Sequence, residues 1–218
     1  MIKLCIFDLD GTLTNTLPAI SHFGNSALKE NGFPEIVMER YKKLVGDGRD
    51  LLIHRMLSES GNDNEENFVK VVKSYDAAYE ADPLYNTAPY NGIPELLADL
   101  RKQGIELAVL SNKPDNVVQD VVRLFFGETF SYVLGHLPPN EIKPNPNTAL
   151  MICDKFGVSP KETAFIGDTN VDIKTGKNAG MKTVGVTWGF RDKDELISAG
   201  ADFVAENPQD IIKEILKW

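Results

Sequence analysis

The 218-residue sequence predicts an α/β fold in which a doubly wound parallel sheet carries an inserted all-helical segment. Three observations predict it. From about Gly92 onward, short apolar runs alternate with amphipathic stretches. One more apolar run, Lys3 to Phe7, opens the chain with the same character. Between them, from Thr14 to about Pro89, the alternation stops and helical patterns follow one another.

The elements follow in order. Lys3 to Phe7 is a buried strand. Leu17 to Glu30, Pro34 to Leu44, Arg49 to Ser60 and Glu65 to Glu80 read as helices, separated by Gly32, Gly46-Asp47-Gly48 and Gly61-Asn62-Asp63. Pro94 to Lys102 places Leu96, Leu97 and Leu100 on one face, and Gly104 stops it. Strands are expected at Ile105 to Leu110, Ser131 to Leu134, Thr163 to Ile166, Thr183 to Val186 and Asp202 to Ala205. Helices are expected at Asp115 to Phe125, Pro146 to Phe156, Val171 to Ala179, Lys193 to Ala199 and Pro208 to Leu216. Such alternation implies a Rossmann-like parallel sheet covered on both faces. Residues 1–14 and 88–218 form this core, and residues 15–87 form the helical insertion. An insertion after the first strand leaves from the carboxyl edge of the sheet, where open α/β folds bind ligands. A lid would be placed there.

Bulk properties narrow the partners. The net charge is −9 with acids spread along the chain, which argues against nucleic acid or an anionic membrane surface. A small anionic substrate is still allowed, because it responds to a local pocket. Two cysteines, Cys5 and Cys153, both in apolar surroundings, read as core thiols of a reducing compartment. The stretch MIKLCIFDLD has no extended apolar signal region, and no later segment is long enough to span a bilayer. A cytoplasmic protein is the expectation.

The polar residues sit at strand ends. Asp8-Leu9-Asp10-Gly11-Thr12 follows the first strand, Ser111-Asn112-Lys113 the second of the core, and Gly167-Asp168-Thr169-Asn170-Val171-Asp172 a later one. In a parallel sheet these ends share one edge, and Lys143 can reach it from the loop after the strand near Tyr132. Like charges ~4 Å apart repel by about 4 kcal/mol at an effective dielectric near 20. One lysine is too little for Asp8, Asp10, Asp168 and Asp172. Hard oxygen ligands on strand ends suit Mg²⁺, and the metal with Lys143 would attract a phosphate dianion. Ser111 and the backbone amides around Asn112, near a helix start, would supply neutral donors.

Asp8-Leu9-Asp10-Gly11-Thr12-Leu13, Ser111-Asn112, Lys143-Pro144 and Gly167-Asp168-Thr169-Asn170-Val171-Asp172 resemble the four ordered motifs of the haloacid dehalogenase superfamily of phosphohydrolases. The resemblance covers essentially the whole chain and includes a small helical cap after the first motif. Pro89-Tyr90-Asn91-Gly92, Val45-Gly46-Asp47-Gly48 and Trp188-Gly189-Phe190-Arg191 are similar to phosphoglycolate phosphatases and their relatives.

The resemblance implies roles. Asp8 would be the nucleophile that forms an aspartyl-phosphate, and Asp10 the acid and base, its backbone carbonyl also meeting Mg²⁺. Thr12 would orient Asp10, and Gly11 and Thr12 would shape the phosphate-binding turn. Ser111, Asn112 and Lys143 would hold the phosphoryl group. Asp168 would bind the metal, with Asp172 completing or buttressing its shell. Arg49 stands where related phosphomutases carry a substrate-binding arginine. His22, His54 and His136 lack metal-ligand spacing, and Trp188-Gly189 reads as sheet-edge packing. Asn15 replaces an acid usual in relatives, so the charge at that position is lost.

The implied activity is Mg²⁺-dependent hydrolysis of a small phosphomonoester, foremost 2-phosphoglycolate. The alternatives of the same chemistry are a pyrophosphatase, a sugar-phosphate phosphatase or a β-phosphoglucomutase-like enzyme. A phospho-accepting signalling module is the alternative of another class, and Asp10, placed to destroy a persistent aspartyl-phosphate, argues against it. A halide-removing hydrolase needs neither Asp10 nor the metal.

Overall fold

The computed structural model describes residues 1–82 and 84–218. They divide into two compact units, one of residues 1–15 and 88–218 and the other of residues 16–87.

The larger unit is built on six parallel strands, β1 (Leu4–Phe7), β4 (Glu106–Pro114), β5 (Tyr132–His136), β6 (Thr163–Gly167), β7 (Lys182–Val186) and β8 (Phe203–Ala205). Their spatial order is β5-β4-β1-β6-β7-β8, so the first strand of the chain lies inside the sheet. Register confirms the parallel pairing: Phe7 lies opposite Val109 of β4 and Ile166 of β6. A short antiparallel pair, β2 (Thr14–Asn15) with β3 (Ala88–Pro89), which sequence reasoning missed, joins the chain where it leaves and re-enters this unit. Two residues per strand are too few to give an alternation signal.

Successive residues of a strand face opposite sides of the sheet. Leu4 and Ile6 therefore join Ala108, Leu110, Leu134 and Phe165 in a core that also takes in Ala149, Ile152 and Cys153. Those last three lie on α7 (Asn147–Phe156). Phe7 faces the other side, where it meets Phe130 edge to face at 6.3 Å, and Phe130 meets Phe126 at 5.7 Å. All four β1 residues are buried, as a central strand covered on both faces requires. Leu4, Ile6 and Phe7 each contribute roughly 1.5–3 kcal/mol through burial. The remaining helices of this unit are α5 (Ile93–Lys102), α6 (Asp115–Phe126), α8 (Asn170–Asn178), α9 (Lys193–Ser198) and α10 (Pro208–Ile215), with a 3₁₀ turn at Pro160–Glu162.

The smaller unit holds α1 (Leu17–Glu30), α2 (Met38–Leu44), α3 (Arg49–Glu59) and α4 (Glu65–Ala81). Phe23, Leu28, Tyr41, Ile53, Met56 and Val71 are buried within it. The expected helix from Pro34 is corrected: only Met38–Leu44 is helical. The Asn25 amide accepts from the Ile36 N–H and donates to the Ile36 carbonyl, each at 2.8 Å, and so holds that backbone out of a helix. Gly24 makes room for Tyr41, whose hydroxyl donates to Asn25 Oδ1 at 2.9 Å; a Cβ on Gly24 would come within 2.4 Å of that hydroxyl.

Candidate active site

The ends of β4, β1 and β6 are adjacent on one edge of the sheet. Beyond β1 the chain makes a tight turn in which the Leu9 carbonyl accepts from the Thr12, Leu13 and Thr14 amides. Gly11, at φ 84°, supplies the left-handed conformation the turn needs. Asp8 Oδ1 accepts the Leu9 N–H at 2.7 Å, which fixes the carboxylate on its own backbone.

Four ionisable groups converge there. Lys143 Nζ lies 2.8 Å from Asp8 and 2.7 Å from Asp172. Asp8, Asp168 and Asp172 each offer a carboxylate oxygen within 4.8 Å of the others. Residue exposures of 8%, 0%, 1% and 3% for Asp8, Asp168, Asp172 and Lys143 mean that bulk water screens these charges poorly. Burial first, then the Asp172 and Asp10 charges, push Asp8 up to about 7 against the opposing pull of Lys143. Burial and the charges of Asp172 and Asp8 hold Asp168 well above the usual carboxylate range. Burial works against the Lys143 charge, yet Asp172 and Asp8 raise it above the ordinary lysine range. Three buried carboxylates facing one ammonium form a donor set that fits a hard divalent cation.

Asp172 serves two partners. It is the third residue of α8, and its Oδ2 accepts the Thr169 N–H at 3.0 Å in a capping box while Oδ1 accepts from Lys143. The helix cap thereby aims the other oxygen into the cluster.

Asp168 sits in a cradle that sequence reasoning missed. Thr12 Oγ1 donates to its Oδ1 at 3.0 Å and the Phe190 N–H to its Oδ2 at 2.7 Å. Trp188 Nε1 donates to the Thr12 carbonyl at 3.0 Å, tying the 188–190 loop to the first motif. A Cβ on Gly11 would lie 2.3 Å from Asp168 Oδ2, and one on Gly189 would lie 2.3 Å from that oxygen and 2.4 Å from the Gly11 carbonyl. Only glycine fits at either wall. Two expectations change: Thr12 orients Asp168 rather than Asp10, and Trp188-Gly189 is part of this cradle as well as sheet-edge packing. The glycine after the tryptophan was the available signal.

The β4 end is bulged. Between the pairs Leu110–Leu134 and Pro114–His136, β4 advances four residues while β5 advances two. Bulges beside active sites re-aim side chains. Here Ser111 Oγ accepts the Lys113 N–H at 3.3 Å, and Asn112 turns to the backbone of Lys143, which donates to Asn112 Oδ1 at 2.8 Å and accepts from its Nδ2 at 3.1 Å. Pro114 is extended, at ψ 136°, and α6 begins only at Asp115, so the amides around Asn112 belong to a bulged strand and not to a helix N-terminus. Lys113, not singled out by sequence reasoning, places Nζ 3.1 and 3.2 Å from the two oxygens of Asp10. The Asp10 carboxylate thus lies on Lys113, outside the three-carboxylate group, and any metal role falls to its backbone carbonyl.

Arg49 is in the helical unit, where its guanidinium pairs with Asp50 and Asp76, each at 2.7 Å. His54 Nδ1 donates to Asp63 Oδ1 at 2.7 Å, a polar contact the sequence did not reveal. Among the described residues, the one group arranged to hold a metal is Asp8, Asp168 and Asp172, and no helix is long and apolar enough to cross a membrane.

Residues 5–186 match the haloacid dehalogenase-like hydrolase family. The chain belongs to that family. Within the haloacid dehalogenase-like hydrolases, it is 36% identical over 217 residues to a phosphoglycolate phosphatase of Mannheimia succiniciproducens, with 97% of each chain covered. A solved structure from Lactobacillus delbrueckii subsp. bulgaricus superposes with a TM-score of 0.94 at 27% identity, covering 98% of both chains. That of a predicted phosphoglycolate phosphatase from Haemophilus somnus superposes with 0.91 at 32% identity, covering 98% of this chain and 97% of that one. This haloacid dehalogenase-like hydrolase is therefore an enzyme of the phosphoglycolate phosphatase-like kind.

Proposed function

We propose that the enzyme hydrolyses 2-phosphoglycolate to glycolate and inorganic phosphate through a phosphorylated Asp8, with Mg²⁺ as cofactor. The observation that carries the reading is Asp8 itself. Its Oδ1 is held by the Leu9 amide and Lys143, which leaves Oδ2 to attack phosphorus. Relatives along the full chain that are phosphoglycolate phosphatases support the choice of substrate.

In the first step an Oδ2–P bond forms, the ester P–O bond breaks, and Asp10 gives a proton to the departing glycolate oxygen. In the second, water attacks phosphorus, Asp10 takes its proton, and the Asp8–P bond breaks. Lys143 neutralises charge that builds beside Asp8 in both. Asp168 and Asp172 would hold Mg²⁺ with Asp8 and the Asp10 carbonyl, and the bound ion would neutralise and orient phosphoryl oxygens. Ser111, with Gly11 and the amides about Asn112, would receive the remaining oxygens.

Residues 15–87 are read as a cap that closes over a compact substrate. Arg49 is its candidate contact with substrate, and engaging an anion would require it to exchange Asp50 or Asp76. Two buried free cysteines accord with a cytoplasmic setting. The test is phosphate release from a panel of small phosphoesters with Mg²⁺ and with EDTA. The expected result is the highest kcat/KM on 2-phosphoglycolate, abolished by EDTA. Release that survives EDTA, or none from any ester, would overturn the reading.

A further inference from the structure

We infer that Lys113 is a positioning residue for Asp10, and that it serves the step in which Asp10 accepts a proton from water. The inference rests on the proposed roles of Asp8 and Asp10. Its own ground is geometric. The ammonium spans both Asp10 oxygens, at 3.1 and 3.2 Å, so the carboxylate cannot turn about its own axis without losing a bond. The Lys113 side chain is only 7% exposed and that of Asp10 18%, which takes the pair out of the class of solvated surface bridges.

The backbone that carries Lys113 is fixed as well. It lies in the β4 bulge, where the Lys113 N–H donates to Ser111 Oγ at 3.3 Å. Gly135 of β5 lets that segment approach: a Cβ there would come within 2.7 Å of the Lys113 carbonyl and 2.5 Å of the Asp115 Cα. Asp115 Oδ1 in turn accepts the Gly135 N–H at 2.8 Å. The bulge thus delivers a cation to Asp10, a motif carboxylate that Lys143 does not hold. An ammonium bonded to both oxygens fixes the plane of the carboxylate and the direction in which its remaining lone pairs point. In hydrolysis of the phosphorylated Asp8, the water oxygen bonds to phosphorus, the P–O bond to Asp8 breaks, and the water proton passes to Asp10. Free Asp8 and inorganic phosphate result.

The test uses p-nitrophenyl phosphate with Mg²⁺. Its leaving group departs as a stable anion, so phosphoryl transfer to Asp8 asks little of Asp10, and hydrolysis of the intermediate asks for its base form. In Lys113→Met, kcat should fall by about two orders of magnitude, the lower end of what general base catalysis supplies. KM should fall in parallel, and p-nitrophenol should appear in a burst stoichiometric with enzyme. Lys113→Arg, which keeps a two-pronged donor, should recover most of kcat. If Lys113→Met does not fold, Lys113→Gln is read the same way. An unchanged kcat overturns the inference, as does an equal loss of kcat and kcat/KM without a burst. A wild-type enzyme that releases phosphate from no ester instead overturns the proposed function.

Discussion

Asn112 clamps the backbone of Lys143, accepting its N–H at 2.8 Å and donating to its carbonyl at 3.1 Å. The pairing crosses from the bulged end of β4 to the loop that carries Lys143, and Lys143 in turn reaches Asp8 and Asp172. An amide carries its acceptor and its donor on separate atoms, so one side chain meets both backbone groups side by side. Asn112→Ala leaves a buried N–H and carbonyl unpaired, at a cost of about 1–3 kcal/mol each before water enters. The expected outcome is a melting temperature lower by several degrees, together with a loss of kcat larger than any change in KM. Scanning calorimetry and steady-state kinetics on the variant check both.

Gly189 forms one wall of the Asp168 cradle. A methyl there would meet Asp168 Oδ2 at 2.3 Å and the Gly11 carbonyl at 2.4 Å, so the loop must shift and carry the Phe190 N–H with it. Groups that orient a metal ligand typically contribute a factor of about 10–100 in metal affinity. Gly189→Ala should weaken Mg²⁺ binding by that order, read by calorimetric titration without substrate. An unaltered affinity would show that the loop does not govern Asp168.

Asp202 ties β7 to α8: it accepts the Thr183 N–H at 2.8 Å and hydroxyl at 3.0 Å, and pairs with Lys177 at 2.7 Å. Burial raises its pKa, but Lys177 and the two Thr183 donors together outweigh that and bring it below the usual aspartate range. A depressed folded-state pKa means stability present above the unfolded value, near pH 4, and lost as pH falls through the folded one. Asp202→Asn should therefore melt below wild type at neutral pH, with the gap closing as pH falls below about 4. A gap independent of pH would contradict the sign.

Cys5 and Cys153 are buried and free. Burial pushes both thiols up, with a Thr163 hydrogen bond opposing it at Cys153. The thiolate is the reactive form. Neither should react with a disulfide reagent at neutral pH in the native enzyme, and both should react once it is unfolded. Rapid native labelling at either position would show that the core opens more readily than its packing implies.

The parts of the site legible in the sequence were those carried by composition at strand ends. Asp8 and Asp168 directly follow apolar strands, Asp172 and Lys143 lie in the segments that come after such strands, and parallel pairing brings those ends together whatever lies between. Partners fixed by local backbone detail were not legible. The β4 bulge that turns Lys113 toward Asp10 leaves no mark in hydrophobic alternation. Thr12 faces Asp168, 156 residues away, through a turn whose geometry Gly11 sets. Residues 34–37 carry a helical pattern, yet the Asn25 amide captures Ile36 and delays the helix. In each case a side chain competes with backbone regularity, and pattern reading sees only the regularity.

The central claim, that Asp8 carries the phosphoryl group, is tested most directly by acid-quenched mass spectrometry during turnover of 2-phosphoglycolate. The account predicts one phosphoryl group on the peptide containing Asp8, absent from an inactive but folded Asp8→Asn. Turnover with that peptide unmodified, or near-normal activity in Asp8→Asn, would contradict it.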